Sequence, residues 1–179
     1  MKLYALCDKE MLQNRAISIP QFIQKVKMHN GAIIQYRNKI PNFGEIEEDI
    51  RTIRKFWSGT LILNDYLEFL DLVDGFHVGQ EDLQKYGTVE EIRKKIGRKI
   101  LGLSTHNREE IEEANSFDLD YIGLGAYRTS STKEVTNVLG DEVEKLAKLS
   151  KHPVAVIGGV KLSDRFRNIE YRVIGSGLL

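Results

Sequence analysis

Eight short apolar runs recur along the chain, each giving way to a polar break and then, in most cases, to a helical pattern. They cover residues 3–7, 32–36, 60–63, 75–78, 100–103, 121–124, 154–157 and 171–174. Most are continuous, not alternating, and rich in Ile, Val and Leu, as strands covered on both faces are. The intervening segments carry helix starts: Ser18 with Gln21, Thr88 with Glu91 and Asn107 with Glu110 each have capping-box spacing. Phe22, Ile23 and Val26 supply the apolar stripe of one helix, and Val143, Leu146 and Ala147 that of another expected over 141–149.

Strands alternating with helices leave an open doubly wound sheet or a closed (β/α)8 barrel, and eight is the barrel number. Dividing 179 residues by eight leaves about 22 per unit, whereas barrels generally use about 200–250 residues in all. The expectation is therefore an α/β chain forming one domain over residues 1–179, a compact and truncated (β/α)8 barrel. The shortening falls in a short third helix around 66–72 and in a missing eighth helix, since the chain ends within five residues of Ile174. A missing eighth helix would expose the outer faces of the last and first strands, with Leu3, Ala5 and Val173. A homodimer covering that apolar gap is the corresponding expectation.

Charge narrows the function classes. Twenty-six basic side chains balance 26 acidic ones, which argues against a nucleic-acid arm or a polybasic membrane patch. No apolar stretch approaches the roughly 20 residues that span a bilayer. The first ten residues turn charged at Asp8 and have no signal-peptide form. One cysteine, Cys7, cannot form an internal disulfide and sits in an apolar run as a buried thiol. A cytoplasmic protein is expected.

In a barrel of this kind, function gathers at the carboxyl ends of the strands. Gln35, Arg37 and Lys39 lie two apart, so an extended chain aims them the same way, either to clamp a polyphosphate or as a solvated strand end. Asp65 and Asp82 follow neighbouring strands and can share one Mg2+, which takes one or two carboxylates and completes its shell with water and phosphate oxygens. Asp also serves ordinary turns, and Glu81 is a competing ligand. The loop 129–133 offers four hydroxyls and an ammonium, an oxyanion cradle or a plain solvated loop. Gly158-Gly159 lets backbone N–H groups approach a phosphate, or makes a tight turn. His77 either points into the site or plugs the barrel mouth. His106 is a proton-handling group or part of a turn. No His/Cys metal cluster, P-loop or nucleophile elbow is present.

Eight segments occur in an order and spacing that resemble the thiamine phosphate synthase (thiamine phosphate pyrophosphorylase) family: LYALCD, QYRNK, LILND, DGFHVGQEDL, ILGLSTHNREE, DYIGLGAY, TSSTK and PVAVIGGV. The resemblance implies a TIM barrel and a transferase of thiamine biosynthesis. Such an enzyme joins hydroxymethylpyrimidine diphosphate to hydroxyethylthiazole phosphate and releases pyrophosphate through a dissociative pyrimidine carbocation. By position it implies that Gln35 meets the pyrimidine, that Arg37, Lys39, Asn64 and Lys133 hold the diphosphate, and that Asp65 and Asp82 hold Mg2+. Ser104 would lie beside the pyrimidine and leaving group, while Ser130, Thr132, Gly159, Gly175 and Ser176 would take the thiazole phosphate. Its partners would be small phosphorylated substrates. Ala126 stands where the family often has proline and Ser130 where threonine is usual, and the helix after Gly159 is short. The related thiazole tautomerases share the barrel and the phosphate site but lack the magnesium aspartates; that isomerase, or a non-catalytic phosphate-ligand-binding relative, is the alternative.

Overall fold

A computed structural model describes residues 1–129 and 137–179. Eight parallel strands close into a barrel in chain order: β1 (Lys2–Asp8), β2 (Gly31–Arg37), β3 (Thr60–Asn64), β4 (Gly75–Val78), β5 (Ile100–Thr105), β6 (Tyr121–Leu124), β7 (Val154–Val156) and β8 (Tyr171–Ile174). Pairing of β1 with β8, from Lys2 opposite Tyr171 to Ala5 opposite Ile174, completes the ring. Every apolar run seen in the sequence is a strand, with ends moved by at most two residues.

Side-chain alternation sorts each strand into two cores. Tyr4, Ile33, Ile62, Tyr121, Ala155 and Val173 fill the barrel interior. Their neighbours, among them Ala5, Ile34, Leu61, Leu63, Ile122 and Ile174, pack outward in the larger core that includes the helices. The same parity carries Gln35, Arg37, Asn64, His77 and Ser104 to the inward side as the strands reach their carboxyl ends.

The crossovers are α1 (Lys9–Asn14) and α2 (Ile19–Met28), α3 (Phe43–Phe56), a 3-10 segment (Leu67–Leu72), α4 (Leu83–Tyr86) and α5 (Val89–Ile96), α6 (Arg108–Ala114) and α7 (Glu142–Ala147). Ser18 with Gln21 and Thr88 with Glu91 form complete capping boxes at the starts of α2 and α5. The third expected box is only half made. Asn107 Oδ1 accepts from Glu110 N at the start of α6, but the Glu110 carboxylate turns to the backbone N–H and ring of His106. His106 is thereby engaged in the turn. Cys7 is fully buried, and burial raises its thiol pKa.

Two expectations about the shortened end are corrected. No helix follows Gly159: residues 157–170 run as turns and irregular chain to β8, with Val160 and Ile169 buried in the outer core and Phe166 packed edge-on to Tyr127. The chain after β8 makes one 3-10 turn (Ser176–Leu178), and Leu178 is buried. The apolar gap that motivated a homodimer is therefore absent. Leu3 is 2% exposed and Ala5 0%, and Val173 faces the barrel interior. Short apolar anchors in irregular chain suffice because each outer strand face here presents only two or three side chains. Among the described residues no helix is long and apolar enough to cross a membrane.

Candidate active site

Arg37 ends β2, and its guanidinium bonds Asp8, the last residue of β1, at 2.6 Å. Asp8 is 3% exposed and also caps α1 by accepting from Met11 N. One carboxylate thus starts a helix and fixes the direction of a cation, and charge-assisted bonds of this kind are the strong ones. The strand-end reading of the sequence does not single out Asp8; its place at the end of the LYALCD segment is the available signal.

The alternation that would aim Gln35, Arg37 and Lys39 together stops with the strand at Arg37. Lys39 lies two residues beyond the strand and is exposed. Another cation supplies charge at the mouth. Lys85 of α4 lies over the rings of Tyr66 and Tyr86, 5.4 and 4.7 Å from their centroids, and its charge acts on Asp65.

Asn64 and Asp65 close β3. Asn64 is buried, with Nδ2 donating to the His77 carbonyl. Asp65 and Tyr66 both hold left-handed backbone, at φ 63° and 61°, a conformation Asp tolerates and Tyr rarely takes. That turn brings the Asp65 carboxylate to Asp82, whose Oδ2 is held by Gly79 N. Burial first, then the Asp82 charge and a hydrogen bond to it, push the Asp65 pKa up to about 7, while Lys85 and Arg37 oppose the rise. Asp65 Oδ1 is buried with no partner. Two adjacent carboxylates, one with an unsatisfied oxygen, fit a hard divalent cation that completes its shell with water and phosphate oxygens. Glu81, the competing ligand, is exposed.

Beneath this mouth lies a buried chain of hydrogen bonds. Gln35 Nε2 donates to Tyr4 Oη (2.6 Å), Tyr4 Oη meets Tyr121 Oη (2.7 Å), Tyr121 Oη meets His77 Nδ1 (2.8 Å), and His77 Nε2 meets Ser104 Oγ (2.9 Å). The imidazole stacks on Tyr121. Burial, the largest cause, lowers the His77 pKa to about 4, so the ring is neutral near pH 7. His77 therefore points into the site, resolving the choice the sequence left open. Glycine makes this arrangement possible: a Cβ at Gly102 would lie 2.1 Å from Tyr121 Cζ. Gln80 Nε2 ties the loop after β4 to the Ser104 carbonyl at 2.7 Å.

The opposite side of the mouth is built differently. Gly158 and Gly159 have φ of 94° and 58°, and a Cβ on Gly159 would meet Arg128 Cβ at 2.8 Å and the Thr129 carbonyl at 2.9 Å, so glycine is what lets the loop after β7 approach the loop after β6 this closely. Arg128, after β6, grips Asp164 with two nitrogens (2.7 and 3.1 Å) and the Gly159 carbonyl at 3.1 Å. It is committed to holding the loop after β7. Gly175 and Ser176 follow β8, and Arg15 reaches the Ser176 carbonyl at 3.5 Å. Ser130, Thr132 and Lys133 lie outside the described residues.

The chain matches the family described as thiamine monophosphate synthase over residues 3–175. It is 34% identical to the thiamine-phosphate synthase of Persephonella marina over 167 residues, 89% of this chain and 77% of that protein. Similarity to the Dictyoglomus thermophilum thiamine-phosphate synthase is 33% identity over 178 residues, 94% of this chain and 77% of the relative. Among solved structures, thiamine phosphate pyrophosphorylase from Pyrococcus furiosus superposes with a TM-score of 0.77 over 98% of this chain and 85% of that one, at 22% identity, a likeness of fold.

Proposed function

The chain belongs to the thiamine monophosphate synthase family, and from that premise we propose that it joins hydroxymethylpyrimidine diphosphate to hydroxyethylthiazole phosphate, giving thiamine phosphate and pyrophosphate. The observation that carries the reading is the Asp65–Asp82 pair with its unpartnered buried oxygen, set beside Arg37 and Lys85 at the carboxyl mouth of the barrel. Asp65 and Asp82 would hold Mg2+. A divalent cation bound there neutralises charge on diphosphate oxygens.

The reaction asks for charge stabilisation more than for a base. The bond from the pyrimidine's exocyclic carbon to the diphosphate oxygen breaks, with the electron pair leaving on the diphosphate, and the thiazole nitrogen then donates its lone pair to that carbon. No proton moves in either step. Arg37, fixed by Asp8, and the Asn64 amide stand where the departing charge develops, with Lys133 assigned there by position in the family pattern. Gln35 keeps its Oε1 for the pyrimidine, while its Nε2 is engaged with Tyr4. On the other side, the Gly158-Gly159 turn, Gly175 and Ser176, with Ser130 and Thr132 by position, serve the thiazole phosphate through backbone N–H and hydroxyl donors.

Incubating the protein with both phosphorylated precursors and Mg2+ tests the reading. Thiamine phosphate and pyrophosphate should appear in equal amounts. Isomerisation of the thiazole phosphate alone, with no magnesium-dependent binding of pyrophosphate, would assign the chain to the tautomerases. Under that outcome the acidic pair would have no task.

A further inference from the structure

We propose that Tyr4, Tyr121 and His77 are positioning residues that form a one-way hydrogen-bond chain through the barrel, presenting Gln35 to the substrate as an acceptor and Ser104 as a donor. The inference rests on the functional reading above for the identity of the substrate, and on proton counting for everything else.

Each link leaves one choice. The Gln35 amide nitrogen can only donate, so Tyr4 Oη accepts from it at 2.6 Å and must send its single proton onward. Its other partner is Tyr121 Oη, 2.7 Å away. Tyr121 Oη, having accepted, donates to His77 Nδ1 at 2.8 Å, which leaves that nitrogen without a proton. The imidazole proton therefore sits on Nε2 and is donated to Ser104 Oγ at 2.9 Å. Ser104 Oγ has no second partner among the described residues, so its own proton is free for a ring nitrogen or a diphosphate oxygen. At the other end, the Gln35 carbonyl oxygen is left to accept, as from an amino group on the ring.

The path is buried up to Ser104, which is partly exposed. Tyr4 is 1% exposed, Tyr121 3% and His77 9%, so water cannot readily substitute for a missing link. Gly102 leaves the space that the Tyr121 ring occupies. Edge-on packing of Tyr4 against Tyr121 and stacking of His77 on Tyr121 hold the rings in register. Neither phenol nor the imidazole need touch the reacting atoms.

The chain has a direction, so cutting it at two points should give different results. In the wild-type protein, nitrogen NMR of 15N-histidine-labelled enzyme should show His77 with its proton on Nε2. Replacement Tyr121→Phe removes the donor to Nδ1; a second population with the proton on Nδ1 should appear. Ser104 then spends its proton on the ring in that population, and kcat should fall roughly tenfold or more, toward the range seen when one stabilising donor is lost. Replacement Tyr4→Phe cuts upstream of that point. The tautomer should stay on Nε2 and kcat should change little, while KM for the pyrimidine diphosphate rises about threefold to tenfold as the Gln35 amide loses its anchor. A wild-type His77 protonated on Nδ1 would overturn the proposal, and so would a folded Tyr121→Phe enzyme with unchanged kcat. Should Tyr121→Phe fail to fold, the wild-type tautomer and the Tyr4→Phe enzyme still decide. The tautomer is read without substrate, so a wild-type enzyme that makes no thiamine phosphate counts against the functional reading and not against the chain.

Discussion

The two sides of the barrel mouth achieve order by opposite means. From β1 to β5 the polar groups are drawn down into the barrel: Asp8, Gln35, Asn64 and His77 are each under 10% exposed, and except for the His77–Tyr121 bond their strand partners come from neighbouring strands. From β6 to β8, Tyr121 apart, the groups stay at the rim. There the loop after β7 has no helix behind it and is held by the Arg128–Asp164 pair, by the edge-on contact of Tyr127 with Phe166 and by a two-glycine turn. The Arg128 side chain is 41% exposed, so water and salt compete for its ion pair. Buried polar contacts are unforgiving, because removing one partner strands the other. Rim contacts can be lost with less damage. The first side suits a polyanion that must be stabilised as charge develops; the second suits a phosphate that is only held.

The contrast makes graded predictions, beginning with Arg37. Replacement Arg37→Ala should lower kcat by about 10²-fold or more, the scale for losing one charge stabiliser. It should also destabilise the fold by about 1–3 kcal/mol, because it leaves Asp8 buried and unpaired. Urea denaturation and steady-state rates check both; a variant with normal stability would show that Asp8 is better solvated than its burial implies.

The acidic pair should respond next. Replacement Asp65→Asn should raise the Mg2+ concentration for half-maximal rate tenfold or more, yet stabilise the metal-free protein at pH 8. Asp65 has its folded pKa near 7, above the ordinary 3.8. Its contribution to stability is therefore complete below about pH 3.8 and is lost as pH rises through 7. Asn, uncharged and tolerant of left-handed backbone, should remove that cost and raise the melting temperature by about 2–4 °C for each kcal/mol regained. For the wild-type protein, Mg2+ affinity measured by calorimetry should climb from pH 5 to 7 and then level, since the cation needs the ionised pair. A pH-independent affinity would mean that Asp65 is not a ligand.

On the rim the effects should be smaller and confined to one substrate. Replacement Asp164→Asn should raise KM for the thiazole phosphate about threefold to tenfold and leave pyrophosphate affinity unchanged, and high salt should mimic it in the wild-type protein. Equal losses at both substrates would erase the distinction between the two sides. Replacement Lys39→Ala should have the smallest effect, under about threefold in rate, because Lys39 is exposed beyond the end of β2.

Much of this was legible before any fold was known, for physical reasons that are local. Runs such as 32–36 and 121–124 are continuous because both faces of a barrel strand are covered, and the number of such runs pointed to closure. Ser18 with Gln21 and Thr88 with Glu91 mark helix starts because their partners lie three residues away. Asp65 and Asp82 could be paired on paper, since consecutive strands of a barrel are neighbours. The rule of two reaches only to Arg37, because where a strand stops depends on its partners, so spacing alone does not fix the aim of Lys39. Asn107 with Glu110 marks a helix start as well, though its box is half made because the Glu110 carboxylate takes its donors from His106 and the Asn107 side chain.

What the chain determined by itself is whatever depends on spacing along it: strand count, helix starts, the inward parity of Gln35 and Arg37, and the order of groups around the mouth. Only the closed barrel decided which distant residues meet. Tyr4 and Tyr121 are 117 residues apart and share a hydrogen bond because neighbouring inward-facing positions converge on one axis. Arg128 finds Asp164 across 36 residues of chain. Periodicity tells which face a side chain is on, whereas its partner, its burial and hence its proton are settled by contacts that closure alone creates.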